Sequence, residues 1–132
     1  MRLLLDTHTF LWFIYRKPTG ERFYDLCLNP NNALYLSVAS YWEICIKVGL
    51  GKMQLTEDWV EVFEREMRVN DIHWLPIDPR HCREVIALPQ TGLLSGHRDP
   101  FDRLLVAQAR LEGLTLLSAD PNFGRYDVAV VW

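Results

Sequence analysis

Short apolar runs alternate along this chain with longer stretches of helical period, and the alternation predicts most of its elements. "RLLLD" (residues 2–6) is an apolar run closed by a carboxylate, as expected of a buried parallel strand. "ALYLS" (33–37), "IHWLPI" (72–77), "LTLLSAD" (114–120) and "DVAVVW" (127–132) read as further strands.

Helices fill the gaps between these runs: "THTFLWFIYR" (7–16), "ERFYDLCLN" (21–29), "VASYWEICIKVG" (38–49), "TEDWVEVFEREMRV" (56–69), "DPRHCREVIAL" (78–88) and "PFDRLLVAQARLEG" (100–113). The third is predicted to stop at Gly49 and Gly51. In the fourth, Thr56 is the expected cap, and Trp59, Val60, Phe63 and Met67 share one face. The fifth opens with Asp78 at the cap and Pro79 in the first turn. "KPTG" (17–20) and "PNFGRY" (121–126) read as a turn and a loop, and "PQTGLLSGHR" (89–98) is long enough to be a candidate functional loop.

Strands that alternate with helices in this way imply an α/β fold with a mostly parallel sheet covered on both faces. The chain has 132 residues and shows no repeat, low-complexity tract or linker, so one domain spanning 1–132 is expected. The N-terminal stretch is apolar, but Asp6 and His8 interrupt it well short of the roughly 20 residues a membrane span requires. No small-residue cleavage site follows it, which points to a cytoplasmic protein without membrane attachment. Cys27, Cys45 and Cys82 are odd in number, widely spaced and free of any C-x-x-C pair. They are expected to be reduced core residues rather than a disulfide framework or zinc site.

In an open parallel sheet, ligands bind beyond the carboxyl ends of the strands. Four acids fall on segments that reach that edge: Asp6 closing the first strand, Glu43 in the helix after the second, Asp102 in the first turn of the helix before "LTLLSAD", and Asp120 closing that strand. Each also has an ordinary structural reading. Asp6 fits an N-cap, and Glu43 stands three residues after Ser40 in a capping-box pattern, although Ser37 is the better cap by position. Asp120-Pro121 is a common turn opener. Asp99-Pro100 is a standard helix start, which places Asp102 where an acid favours the helix dipole. It is the set that carries chemical weight. Gathered carboxylates repel one another unless a cation neutralises them, and an all-oxygen donor set suits a hard divalent ion. An ion so held lowers the pKa of bound water and favours in-line attack on a phosphodiester.

The segments "LLLDTHTFLW", "SVASYWEICIKVGLGKMQL", "HRDPFDRLLVAQA", "LTLLSAD" and "YDVAVVW", in that order and spacing, resemble the PIN-domain ribonucleases, specifically the VapC-type toxins of toxin–antitoxin pairs. The resemblance spans the whole chain. It implies a three-layer α/β/α fold and a Mg²⁺- or Mn²⁺-dependent endoribonuclease, dimeric and neutralised by a small antitoxin. Carried over by position, Asp6, Glu43 and Asp102 correspond to the metal-binding acids and Asp120 to a more variable fourth. Asp99 belongs to a signature of one branch of the family and ranks first as a helix cap, second as an accessory acid. Thr7 and Ser118 flank the acids, where small hydroxyls suit hydrogen bonding to a carboxylate or bound water. His97 and Arg98 are candidate contacts to an RNA phosphate.

The formal net charge of −3 argues against a nucleic-acid ligand until the acids are sorted. Removing the five negatives of Asp6, Glu43, Asp99, Asp102 and Asp120 leaves +2 elsewhere, which is compatible with RNA. Arg16, Lys17, Lys47, Lys52, Arg98 and Arg103 are the candidate phosphate contacts. The run "FLWFIY" (10–15) is apolar all round, with Trp42 adding to it nearby. It reads either as domain core or as a face for self-association or antitoxin binding.

Other classes fit less well. An aspartyl phosphatase wants a second acid two residues after the first, and that position is His8. A phospho-acceptor signalling domain wants a lysine near a late strand, and no lysine follows Lys52. A binding or regulatory domain with a vestigial site would have little reason to keep all four acids.

Overall fold

The computed structural model describes residues 1–89 and 99–132. In chain order its elements are β1 (Arg2–Leu5), α1 (Thr7–Ile14), α2 (Glu21–Leu28), β2 (Ala33–Ser37), α3 (Val38–Gly49), α4 (Trp59–Val69), β3 (Ile72–Leu75), α5 (Pro79–Ala87), α6 (Pro100–Glu112), β4 (Thr115–Leu117), a 3₁₀ turn (Pro121–Arg125) and β5 (Val130–Val131). The strands form one sheet in the order β3-β2-β1-β4-β5, and every pairing is parallel. β1 is central, with Leu5 level with Leu36 of β2 and Leu117 of β4.

Alternation along β1 divides the core. Leu3 and Leu5 pack with Phe10, Phe13, Phe23, Ile44, Phe63 and Met67 on the face covered by α1–α4. Leu4 packs with Leu88, Leu105, Val106 and Ala109 on the face covered by α5 and α6. The result is the three-layer α/β/α arrangement. No described helix is long and apolar enough to cross a membrane.

The "FLWFIY" run is largely core: Phe10, Phe13 and Ile14 are buried, while Leu11, Trp12 and Tyr15 are half-buried at its edge. Trp42, by contrast, is 58% exposed and meets Phe101 edge-on at 5.4 Å.

Several elements differ from the sequence reading. α4 begins at Trp59, because the Thr56 carbonyl first closes a turn onto the Trp59 N–H at 3.1 Å; Asp58 precedes the helix without a side-chain capping bond. Phe63 and Met67 of that helix are buried, but Val60 lies at its exposed margin. Pro76, which has no N–H for the ladder, follows the end of β3. β4 stops at Leu117, where the Ser118 hydroxyl takes the Asp120 N–H at 3.0 Å and turns the chain. "PNFGR" is then a 3₁₀ turn rather than irregular loop. Of the cysteines Cys27 is buried, Cys45 intermediate and Cys82 exposed, so only the first is a core residue. α6 ends as expected, on Gly113 in the left-handed conformation at φ 64°.

Candidate active site

The candidate acids stand at the carboxyl edge of the sheet, each anchored by local backbone chemistry. Asp6 follows β1 as the N-cap of α1, and its Oδ1 accepts the Thr9 N–H at 2.7 Å. Its Oδ2 accepts the Ser118 hydroxyl. Because the same Ser118 oxygen accepts the Asp120 N–H, one hydroxyl ties the ends of β1 and β4 together. Asp120 in turn caps the 3₁₀ turn through Asn122 N–H at 2.9 Å.

Glu43 lies within α3, whose cap is Ser37 through the Ala39 N–H at 3.0 Å, so the capping-box reading with Ser40 fails. Its carboxylate is buried and held at both oxygens: the Thr7 hydroxyl donates to Oε1 at 2.6 Å, and Lys47 Nζ stands 3.0 Å from Oε2. Asp99 caps α6, its Oδ1 accepting from Phe101 N–H at 2.8 Å and Asp102 N–H at 3.1 Å, with Pro100 at the first helical position. That turn places Asp102 at the same edge.

These groups line one cleft of about 360 Å³: Asp6, Glu43, Asp99, Asp102 and Asp120 together with Thr7, His8, Trp12, Lys47 and Ala119. The structure thus brings together the four candidate acids and Asp99. Thr7 and Ser118 touch the acids as hydroxyl donors. His97 and Arg98 lie outside the described residues. The candidate phosphate contact Arg103 is corrected: it is buried, donates to the Pro89 carbonyl at 2.8 Å and stands over the Tyr126 ring, so it props α6 rather than facing a ligand. Arg16 is engaged with Glu66 at 3.4 Å and with the Phe13 ring and carbonyl. His8 and Trp12 were not expected in the cleft. Their spacing of one helical turn was the available signal, and their rings lie 6.2 Å apart along α1.

The donor set fits a hard divalent cation. It is all oxygen, and in Asp6 and Glu43 each carboxylate is oriented by a hydroxyl with lone pairs left over. A tighter cluster lies elsewhere. Among the described residues, Asp78, His81 and Glu112 are the set whose metal-capable atoms all lie within 4.8 Å. That cluster is already closed by protein groups. His81 Nδ1 accepts the Asp78 N–H at 3.0 Å, so its Nε2 donates to Glu112 Oε1 at 2.9 Å. Arg80 bonds Asp78 at 2.9 Å and Glu112 at 3.0 Å. The Arg80 bond holds the Asp78 carboxyl below its ordinary range, and the His81 bond does the same for Glu112 with Arg80 adding to it.

A parallel five-stranded sheet between helical layers, with acids from separate segments meeting at its carboxyl edge, defines a PIN-like α/β class. The chain belongs to the PIN domain family, which matches residues 3–129. None of the curated proteins matches it. Among solved structures it is similar in fold to a chain of VapBC2 from Rickettsia felis bound to a promoter DNA fragment, with a TM-score of 0.77 and 16% identity over 99% of this chain and 98% of that one. A chain of VapBC-1 from nontypeable Haemophilus influenzae gives 0.71 at 20% identity over 99% and 97%. A chain of FitAcB from Neisseria gonorrhoeae gives 0.66 at 20% over 98% and 96%.

Proposed function

We propose that this chain is a Mg²⁺- or Mn²⁺-dependent endoribonuclease, the VapC-type toxin of a toxin–antitoxin pair, acting as one nuclease domain. The observation that carries the reading is the convergence of Asp6, Glu43, Asp102 and Asp120 on one cleft. The toxin role draws on membership of the PIN domain family and on the toxin–antitoxin complexes among its structural neighbours.

Asp6, Glu43 and Asp102 would hold the ion, with Asp120 reaching it directly or through water. When bound, the ion supplies an acidified water and charge neutralisation at a phosphodiester. The chain's own part is orientation. Thr7 fixes the Glu43 carboxylate and Ser118 fixes that of Asp6, so neither has to reorganise as the RNA phosphate arrives. Asp99 aims the first turn of α6 and so sets Asp102. The reaction adds water across a P–O bond, leaving a phosphate monoester on one fragment and a hydroxyl on the other. An antitoxin segment lying over the cleft would block the acids, and a homodimer is the assembly expected of such a toxin.

RNA cleavage by the purified protein tests this. Activity should require Mg²⁺ or Mn²⁺, disappear with EDTA and fall at least roughly 100-fold in Asp6→Asn, which keeps a capping oxygen while removing the charge. Cleavage that persists in EDTA, or full activity in Asp6→Asn, overturns the mechanism. No cleavage by wild type under any divalent ion favours a PIN-like binding or regulatory domain instead.

A further inference from the structure

The ionised side chains lining the cleft are mostly acidic. Five carboxylates face it, and among the described lining residues Lys47 is the one side chain with a permanent positive charge. Lys47 lies one turn after Glu43 on α3, and its Nζ is 3.0 Å from Oε2, the oxygen that Thr7 leaves open. This is not an ordinary solvated helix pair. The Glu43 side chain is only 8% exposed, and the ammonium that meets it is drawn from a side chain 34% exposed at the cleft wall. A cation bound to Glu43 Oε2 and an ammonium at 3.0 Å from it compete for the same lone pairs and repel each other. An RNA phosphate entering an acid-lined cleft also needs a positive partner on the protein.

We propose that Lys47 is a two-position cation and a positioning residue for both metal and RNA. Without a divalent ion it neutralises Glu43 and keeps the buried carboxylate paired. With the ion in place it leaves Oε2, turns about its flexible stem and meets the phosphate of the substrate. The inference rests on the nuclease reading and adds to it a counter-ion supplied by the chain itself. It gives the buried Glu43 carboxylate a partner before the ion arrives. It also makes the ion and the RNA cooperative, since each draws on the same side chain in a different position.

The test compares wild type with Lys47→Met and Lys47→Gln in two measurements. The first is Mn²⁺ binding to the RNA-free protein, by calorimetry or by the electron paramagnetic resonance signal of free Mn²⁺. The second is the KM and kcat for a single-stranded RNA at saturating Mn²⁺. Both variants should bind Mn²⁺ roughly 3- to 10-fold more tightly than wild type, because the competitor is gone. Their KM should rise by roughly the same factor with kcat changed less, and Lys47→Arg should restore KM. A residue with a merely structural role would not tighten metal binding while weakening RNA. If wild type binds Mn²⁺ and cuts RNA but both variants match it in Mn²⁺ affinity, or bind the ion less well, the role of Lys47 is overturned alone. If wild type takes up no Mn²⁺ and cuts no RNA, the nuclease reading falls and this one with it. Should Lys47→Met fail to fold, Lys47→Gln, which retains a hydrogen-bonding head, carries the same two measurements.

Discussion

At its N-terminal end α6 delivers Asp99 and Asp102 to a cleft that also holds Asp6, Glu43 and Asp120. Ten residues further on, about 15 Å along the helix, Glu112 meets Asp78, Arg80 and His81. The two ends gather carboxylates under different rules. At the C-terminal end Glu112 sits against the unfavourable pole of the helix dipole, yet Arg80 and His81 bond it directly and its charge is answered within the protein. At the N-terminal end the dipole favours the acids, and five carboxylates share a cleft with Lys47 and the local N–H donors. At one end paired charges pin α5 to α6; at the other the carboxylates line a cleft. Proximity alone would have ranked them the other way, because the clamp is the tighter cluster.

Exchanging the damage gives the largest expected effects. Asp102→Asn should lower single-turnover RNA cleavage by about 10²–10³-fold, equivalent to roughly 3–4 kcal/mol in the barrier. Its stability should change by less than about 1 kcal/mol, because the acid lost from the first turn of α6 is offset by relief of like-charge repulsion in the cleft. His81→Ala should do the reverse. It removes a buried ring that both receives the Asp78 N–H and bonds Glu112. Urea unfolding should show a loss of about 2 kcal/mol, with the cleavage rate of the folded protein within a factor of two or so of wild type. Loss of activity in folded His81→Ala, or loss of stability without loss of activity in Asp102→Asn, would erase the distinction between the two ends.

How far this contrast is legible in the sequence depends on the range of the interactions. The caps are local and were readable: Asp78 with Pro79 and Asp99 with Pro100 act within three residues of themselves. The acid set was readable because strand and helix periods place Asp6, Glu43, Asp102 and Asp120 at one edge of a parallel sheet. Thr7 and Ser118 follow from the same placement, although only the structure assigns Thr7 to Glu43 and Ser118 to Asp6. Partners distant in sequence were not readable. Glu112 reaches His81 across 31 positions, and nothing in "RLEG" announces it. Arg103 reads in the sequence as a candidate phosphate contact, but its side chain is buried and donates to the Pro89 carbonyl and the Tyr126 hydroxyl. Helical period groups Val60 with Trp59, Phe63 and Met67, and apolar neighbours suggest a core place for Cys82, but both residues are exposed.

Asp99 belongs to both kinds of region, as a cap by its hydrogen bonds and a cleft acid by its position. Asp99→Ala should cost about 1 kcal/mol in urea unfolding, since two N–H groups lose their acceptor. Asp99→Ser should recover most of that, because a hydroxyl caps nearly as well. If capping is the main role, Asp99→Ser retains cleavage within a few-fold of wild type, while Asp99→Ala loses more through the displaced first turn of α6. Cleavage abolished in Asp99→Ser at unchanged stability would move Asp99 into the set of acids proposed to hold the metal.

The smallest effect sharpens the comparison through pH. The clamp carboxylates of Asp78 and Glu112 ionise below their ordinary values of 3.8 and 4.5, held down by Arg80 and His81 respectively. In the unfolded chain these groups take up protons first as pH falls, so between the unfolded and folded values the unfolded state binds more protons and stability drops. Their contribution is therefore complete above about pH 4.5 and fades below it. Glu112→Gln should lower the thermal midpoint modestly at pH 7 and flatten its decline between pH 5 and pH 3 relative to wild type. A variant curve that runs parallel to wild type across that window would show that Glu112 is not answered by Arg80 and His81, and would remove the physical basis for separating the clamp from the cleft.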